Sequence, residues 1–182
     1  MNSIRGEVEN AIKQLGIPRQ RASEVSKLEY PAILRKIEKR FVGNEGCLHW
    51  SNLGGFRPTL KTAVLDSRGH QQWYYYLAEM QQDKPLYVLL EDDNDKFWIY
   101  EMYPLEMCRI LDECSSCDIY VCSKKFDWIV SENHSGILYF VGDIHTSRST
   151  HLGITAVLIM FVIPNTLPII SNYICYTIQK AL

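Results

Sequence analysis

Apolar positions recur at helical spacing near the start of the chain. Ile4, Val8, Ala11, Ile12 and Leu15 follow Asn2 and Ser3, which can cap a helix, and Gly16 with Pro18 supplies a stop. A second helical stripe opens at Pro31 and runs through Ile33, Leu34, Ile37 and Phe41 to Gly43. Residues 43–60, with four glycines and Pro58, read as loop. From Thr62 the pattern changes to short runs rich in aromatic and β-branched residues, which predict strands over 62–65, 72–77, 86–91 and 97–101. The polar link Asp92-Asp93-Asn94-Asp95-Lys96 predicts a hairpin between the last two. Pro104 opens a third helix ending near Ser115, and runs over 118–122, 126–131 and 137–141 predict a closing meander. The expected fold class is therefore α+β, with a mainly antiparallel sheet of about six strands, N-terminal helices and one inserted helix.

The pattern changes again after Asp143. No charged residue lies between Ser149 and Gln179, and residues 154–176 are long enough and apolar enough for a bilayer-crossing helix. Pro164, Pro168, Asn165 and Asn172 interrupt that run. The expected organisation is an α+β domain over 1–148 and a hydrophobic tail over 149–182. The tail reads as a membrane-spanning segment, with a buried helix pair or an appended sequence without a role as the alternatives. The first residues lack the apolar core of a secretory signal, so a cytoplasmic domain, anchored through its tail or free, is the expected location.

Charge sharpens the division. The 182 residues carry a net charge of -2, but residues 1–65 hold 11 basic and 6 acidic groups, whereas residues 66–148 hold 7 and 15. Near-balance argues against a nucleic-acid binder that works through a general basic field. An acidic, aromatic second half instead suits a cationic protein partner. The candidate contacts are Glu91, Asp92, Asp93 and Asp95 in the hairpin turn and Trp73 and Tyr75 in the aromatic run Trp73-Tyr74-Tyr75-Tyr76. On a strand, alternate rings of that run would face opposite sides of the sheet, so one set would line a surface unless helices cover both faces.

Other chemistry is thinly represented. Cys114-Ser115-Ser116-Cys117 has the spacing of zinc and redox sites, but no second such pair accompanies it, and it ends a helix where a thioredoxin-like pair opens one. Counting from Asp93, Trp98 and Pro104 stand where a calcium loop needs glycine and glutamate. No nucleophile elbow, P-loop or dinucleotide-binding turn is present. The expectation is therefore no catalytic residue, no metal, no cofactor and no small-molecule substrate, with an enzyme using Cys47 and His49, or His134, as the minor alternative.

The segment from Ser123 to His134 (SKKFDWIVSENH), preceded by Asp118-Ile119-Tyr120-Val121, resembles the closing part of small bacterial α+β proteins similar to the SUKH superfamily. Ile4-Arg5-Gly6-Glu7, Leu15-Gly16-Ile17-Pro18 and Phe97-Trp98-Ile99-Tyr100-Glu101 carry the same resemblance, which covers about residues 1–143. It implies a non-enzymatic protein-binding module, an immunity protein that neutralises a bacterial toxin by binding it, and it supplies no catalytic residues. Chains of that group end soon after the point matched by Gly142-Asp143, so the tail stands outside the resemblance. A membrane-tethered accessory or structural protein is the alternative reading.

Overall fold

The computed structural model describes residues 3–43, 48–54, 62–66, 73–81, 83–92 and 96–142, with backbone alone over 62–66. Helix α1 (Ile4–Gln14) starts where Ser3 Oγ accepts the Gly6 N–H at 3.3 Å, and it buries Ile4, Val8, Ala11 and Ile12 on one stripe. A three-residue strand β1 (Ala22–Glu24) follows. Helix α2 (Tyr30–Ile37) has Pro31 in its first turn and passes into a π-turn (Glu38–Val42). Gly43, at φ 101°, closes that turn by donating its N–H to Glu38 O at 2.7 Å, a left-handed conformation that suits glycine. Phe41 and Val42, though consecutive, are both fully buried there. A single 3₁₀ turn (Trp50–Asn52) lies within the stretch expected to be loop.

The remaining elements are β2 (Thr62–Asp66), α3 (Trp73–Met80), β3 (Leu86–Asp92), β4 (Lys96–Met102), α4 (Pro104–Leu111), β5 (Ile119–Ser123), β6 (Trp128–Glu132) and β7 (Ile137–Gly142). The seven strands form one antiparallel sheet in the order β1-β4-β3-β5-β6-β7-β2. The α+β class is as the pattern predicts, and the β3–β4 hairpin pairs Asp92 with Lys96 at its tip.

One expectation fails. The run expected as a strand over 72–77 is, from Trp73 onward, the start of α3. Trp73 and Leu77 are both buried, and their four-residue separation puts them on one helical face, whereas a strand would have turned alternate rings to opposite sides. Packing against the sheet therefore overrides the β preference of the aromatic side chains.

Both faces of the sheet are covered. On one face, α1, α3 and α4 pack on Leu86, Val88, Leu90, Tyr100, Val121 and Val130. On the other, Ile33 and Ile37 of α2, Phe41 and Val42 of the π-turn, and Leu48 and Leu53 cover Leu89, Ile99, Tyr120, Cys122, Ile129 and Val141. At the end of β7, a Cβ on Gly142 would stand 2.2 Å from O of Asp127, the residue just before β6. The backbone there approaches as only glycine allows, and Gly142 also has φ 105°. Among the described residues no helix is long and apolar enough to cross a membrane. The tail from Ser149, including 154–176, lies outside the described residues.

Candidate functional site

Strand register gathers distant carboxylates at one rim of the sheet. Trp98, Leu90, Ile119, Glu132 and Leu138 pair in a single row across β4, β3, β5, β6 and β7. Just beyond that row come the β3–β4 tip, the segment that leads from α4 into β5, and the β6–β7 turn. The helices add to the same rim, because Tyr74 and Tyr75 near the start of α3 reach Asp112 at the end of α4. Glu7 of α1 accepts the Ser115 N–H at 2.7 Å and the Ser115 hydroxyl at 3.2 Å.

The carboxylates of this rim are held by neutral donors. Asp112 accepts the Tyr74 hydroxyl on one oxygen at 2.6 Å and the Tyr75 hydroxyl on the other at 2.5 Å. Glu132 accepts Trp73 Nε1–H at 2.7 Å, Asp92 accepts Trp98 Nε1–H at 3.0 Å, and Glu91 accepts the Tyr120 hydroxyl at 3.0 Å. Asp118 accepts the His134 backbone N–H at 2.6 Å and lies 3.0 Å from His134 Nδ1. A neutral donor fixes a carboxylate in place and brings no opposite charge of its own. The ion pairs Arg19–Glu9, Arg21–Glu106 and Lys124–Glu101 lie elsewhere.

The rim is least negative at its β4 corner. Arg5, Lys27 and Lys96 stand 5.0, 4.9 and 4.2 Å from the centre of the Trp98 ring, and Arg5 also pairs with Glu24 at 2.7 Å. The hairpin turn is thus a place of mixed charge.

Those fields mark the neighbouring titratable groups. The hydrogen bond to Asp112, then burial, pushes the Tyr75 hydroxyl up to about 12. Burial, then the Asp112 bond, raises Tyr74. Burial first and then Glu7 and Glu113 push the Cys114 thiol up to about 12. Burial, Cys114 and then Asp118, Glu7 and Asp92 do the same for Cys117. Both thiols are free and held protonated, a state unsuited to attack on an electrophile or to thiolate ligation. Among the described residues no group of three His, Cys, Asp or Glu side chains is placed to hold a metal ion.

The sequence candidates divide accordingly. Trp73 is fully buried and supports Glu132, which corrects its assignment as a surface contact. Tyr75 is half-buried at the rim beside the more exposed Tyr76. Glu91 and Asp92 are partly buried rim groups. Asp93 and Asp95 lie outside the described residues, as does Cys47. His49 accepts the Ser51 N–H through Nδ1 at 3.3 Å, and the exposed His134 faces Asp118 in its turn. The sequence reading missed Asp112, Asp118, Glu132 and Glu7. Asp112, Glu113 and Asp118 do bracket the cysteine pair, and that local acidity was a legible signal.

No curated protein and no solved structure matches the chain. Residues 1–153 match the family of unknown function DUF6756, and on that match the chain belongs to the DUF6756 family.

Proposed function

We propose that the chain is a non-enzymatic protein-binding module whose acidic rim takes a cationic surface of a partner protein. One observation carries the reading: Glu7, Glu91, Asp92, Asp112, Asp118 and Glu132 converge on one rim, each held by a neutral donor. Pre-positioned charge of one sign raises the rate and the specificity of association with an oppositely charged surface. Tyr75 and Tyr76 supply aromatic area of the kind that interfaces favour, and Asp112 holds Tyr75 in one orientation. The resemblance to immunity proteins narrows the partner class to a basic bacterial toxin domain, for which an acidic rim is a complementary cover.

Affinity capture tests this. The intact chain and a Glu113→Gln/Asp118→Asn form, which removes the charge of the exposed Glu113 next to Asp112 and that of Asp118, are used as baits in extract of the source cell, at low and at high salt. A protein held by the intact chain, and released both by salt and by the paired substitution, supports the proposal. Identical capture by both baits under both conditions overturns it.

A further inference from the structure

The end of the sheet opposite the acidic rim carries the reverse charge. Glu101, Tyr87, Cys122, Ile129 and Val141 pair in one row across β4, β3, β5, β6 and β7, three residues and about 10 Å from the row that borders the rim. Just past it stands the β5–β6 turn with Lys124 and Lys125, both exposed. Lys124 Nζ lies 4.6 Å from the centre of the Tyr87 ring, the Tyr87 and Phe126 rings are 5.7 Å apart, and Lys36 Nζ stands 5.5 Å from the Phe126 ring. The last turn of α2 therefore reaches this same end. Arg40, about one helical turn beyond Lys36, is exposed with it, as are Arg35 and Lys39. Against these cations stand Glu101, which pairs with Lys124, and Asp127 of the turn. Glu106 of α4 is paired with Arg21, which also feels Asp83, and Asp83 is followed by Lys84.

The chain leaves the described fold at this end. Strand β7 finishes at Gly142, opposite Trp128 and against Asp127 of the same turn. Residues 143–148, which span at most about 22 Å, lead from it to the run 149–179, which has no charged residue. Leu105, in the first turn of α4 just beyond the end of β4, is 58% exposed and adds an apolar group to the same end. An apolar segment together with a basic patch is the pair of signals that holds a protein stably on an anionic bilayer, where either alone binds weakly. The adjacency of the two favours lipid over an acidic protein, because a bilayer offers anionic headgroups directly above hydrocarbon. We propose that this basic end lies against an anionic lipid surface, with the apolar run embedded beside it and the acidic rim turned away. The inference is independent of what the rim binds.

The full chain is produced with vesicles of phosphatidylcholine alone, or of equal parts phosphatidylcholine and phosphatidylglycerol, floated, and briefly acetylated, and each lysine is read by mass spectrometry. Lys36, Lys124 and Lys125 should react about fivefold more slowly on the phosphatidylglycerol vesicles, the factor that about 1 kcal/mol for each basic group near an anionic surface corresponds to. Lys96, exposed at the rim, should react alike on both. Salt near 1 M should abolish the protection, since it screens charges more than about 3 Å apart. Lys36→Gln/Lys125→Gln, two exposed changes, should lose most of the protection at Lys124. A chain that floats with neither vesicle, equal rates on the two compositions, equal protection of Lys96, or protection at Lys124 that survives the paired substitution overturns the proposal. So does the same protection arising without vesicles as the protein concentration rises, the sign of a second copy docking its acidic rim there.

Discussion

Replacing Asp112 by alanine removes the acceptor shared by Tyr74 and Tyr75. Both bonds lie at the surface, where water can take over, so each contributes near the neutral-donor range, about 0.5–1.5 kcal/mol, and the pair about 1–3 kcal/mol. An acidic side chain just past the last turn of α4 also opposes the negative end of that helix, and its removal returns about 0.3–1 kcal/mol. The net destabilisation is then roughly 0.5–2 kcal/mol, a fall in Tm of a few degrees for a domain of this size. Urea unfolding measures the first quantity, and ultraviolet titration of the tyrosines provides a second readout. Tyr75, held up to about 12 mainly by its bond to Asp112, should ionise closer to pH 10 in the variant. Tyr74, raised first by burial, should move less. Unchanged stability together with an unchanged tyrosine titration would refute the claim that Asp112 holds these rings at the rim.

Further expectations concern the alkaline limb, the thiols and one glycine. Cys114 and Cys117, raised to about 12 from an ordinary value of 9.0, contribute stability in their neutral forms that is fully present below pH 9 and lost as pH climbs towards 12. Tyr30 and Tyr75, raised to about 12 from 10.0, add to the loss above pH 10, so denaturant midpoints should fall steadily across that range and stay flat just below it. At pH 8 the same two thiols should react with an aromatic disulfide reagent roughly one to two orders of magnitude more slowly than in the urea-unfolded chain, because the thiolate fraction falls about a thousandfold and the greater nucleophilicity of a more basic thiolate recovers part of that. Gly142→Ala meets a main-chain oxygen at 2.2 Å and places alanine at φ 105°, so it should cost at least about 3 kcal/mol in chemical denaturation, whereas Gly6→Ala, inside α1 with only Ser3 Oγ at 3.6 Å from its Cβ, should be neutral or stabilise by up to about 1 kcal/mol.

Local signals determined which parts of this fold could be read in advance. The stripes Ile4–Val8–Ala11–Ile12 and Ile33–Ile37–Phe41 identify α1 and α2, and the capping side chain of Ser3 and the stops at Gly16 and Gly43 bound them. Strands β3 to β7 follow from short apolar runs bounded by turns. The Trp73–Leu77 run misleads because Trp and Tyr favour strands in general, while the Trp73/Leu77 pairing that fixes the helix is a single i, i+4 repeat. Strand β1 has only three residues and exists because β4 offers an edge, with Ala22 opposite Met102, so nothing local announces it. The candidate site was half legible. The acidity of the second half is a property of composition, but its concentration at one rim depends on register between strands far apart in sequence. The row that puts Glu132 level with Leu90 and Trp98 cannot be read from any one segment.

The central claim is that carboxylates held by neutral donors give this rim a usable negative charge. The direct measurement is the dissociation constant of the captured partner at several salt concentrations, for the intact chain and for Glu113→Gln/Asp118→Asn. The account predicts weaker binding for the variant, a shallower dependence on salt, and convergence of the two forms once the salt screens charges more than about 3 Å apart, near 1 M. Equal dissociation constants with equal salt dependence, in a variant whose unfolding is unchanged, would contradict it.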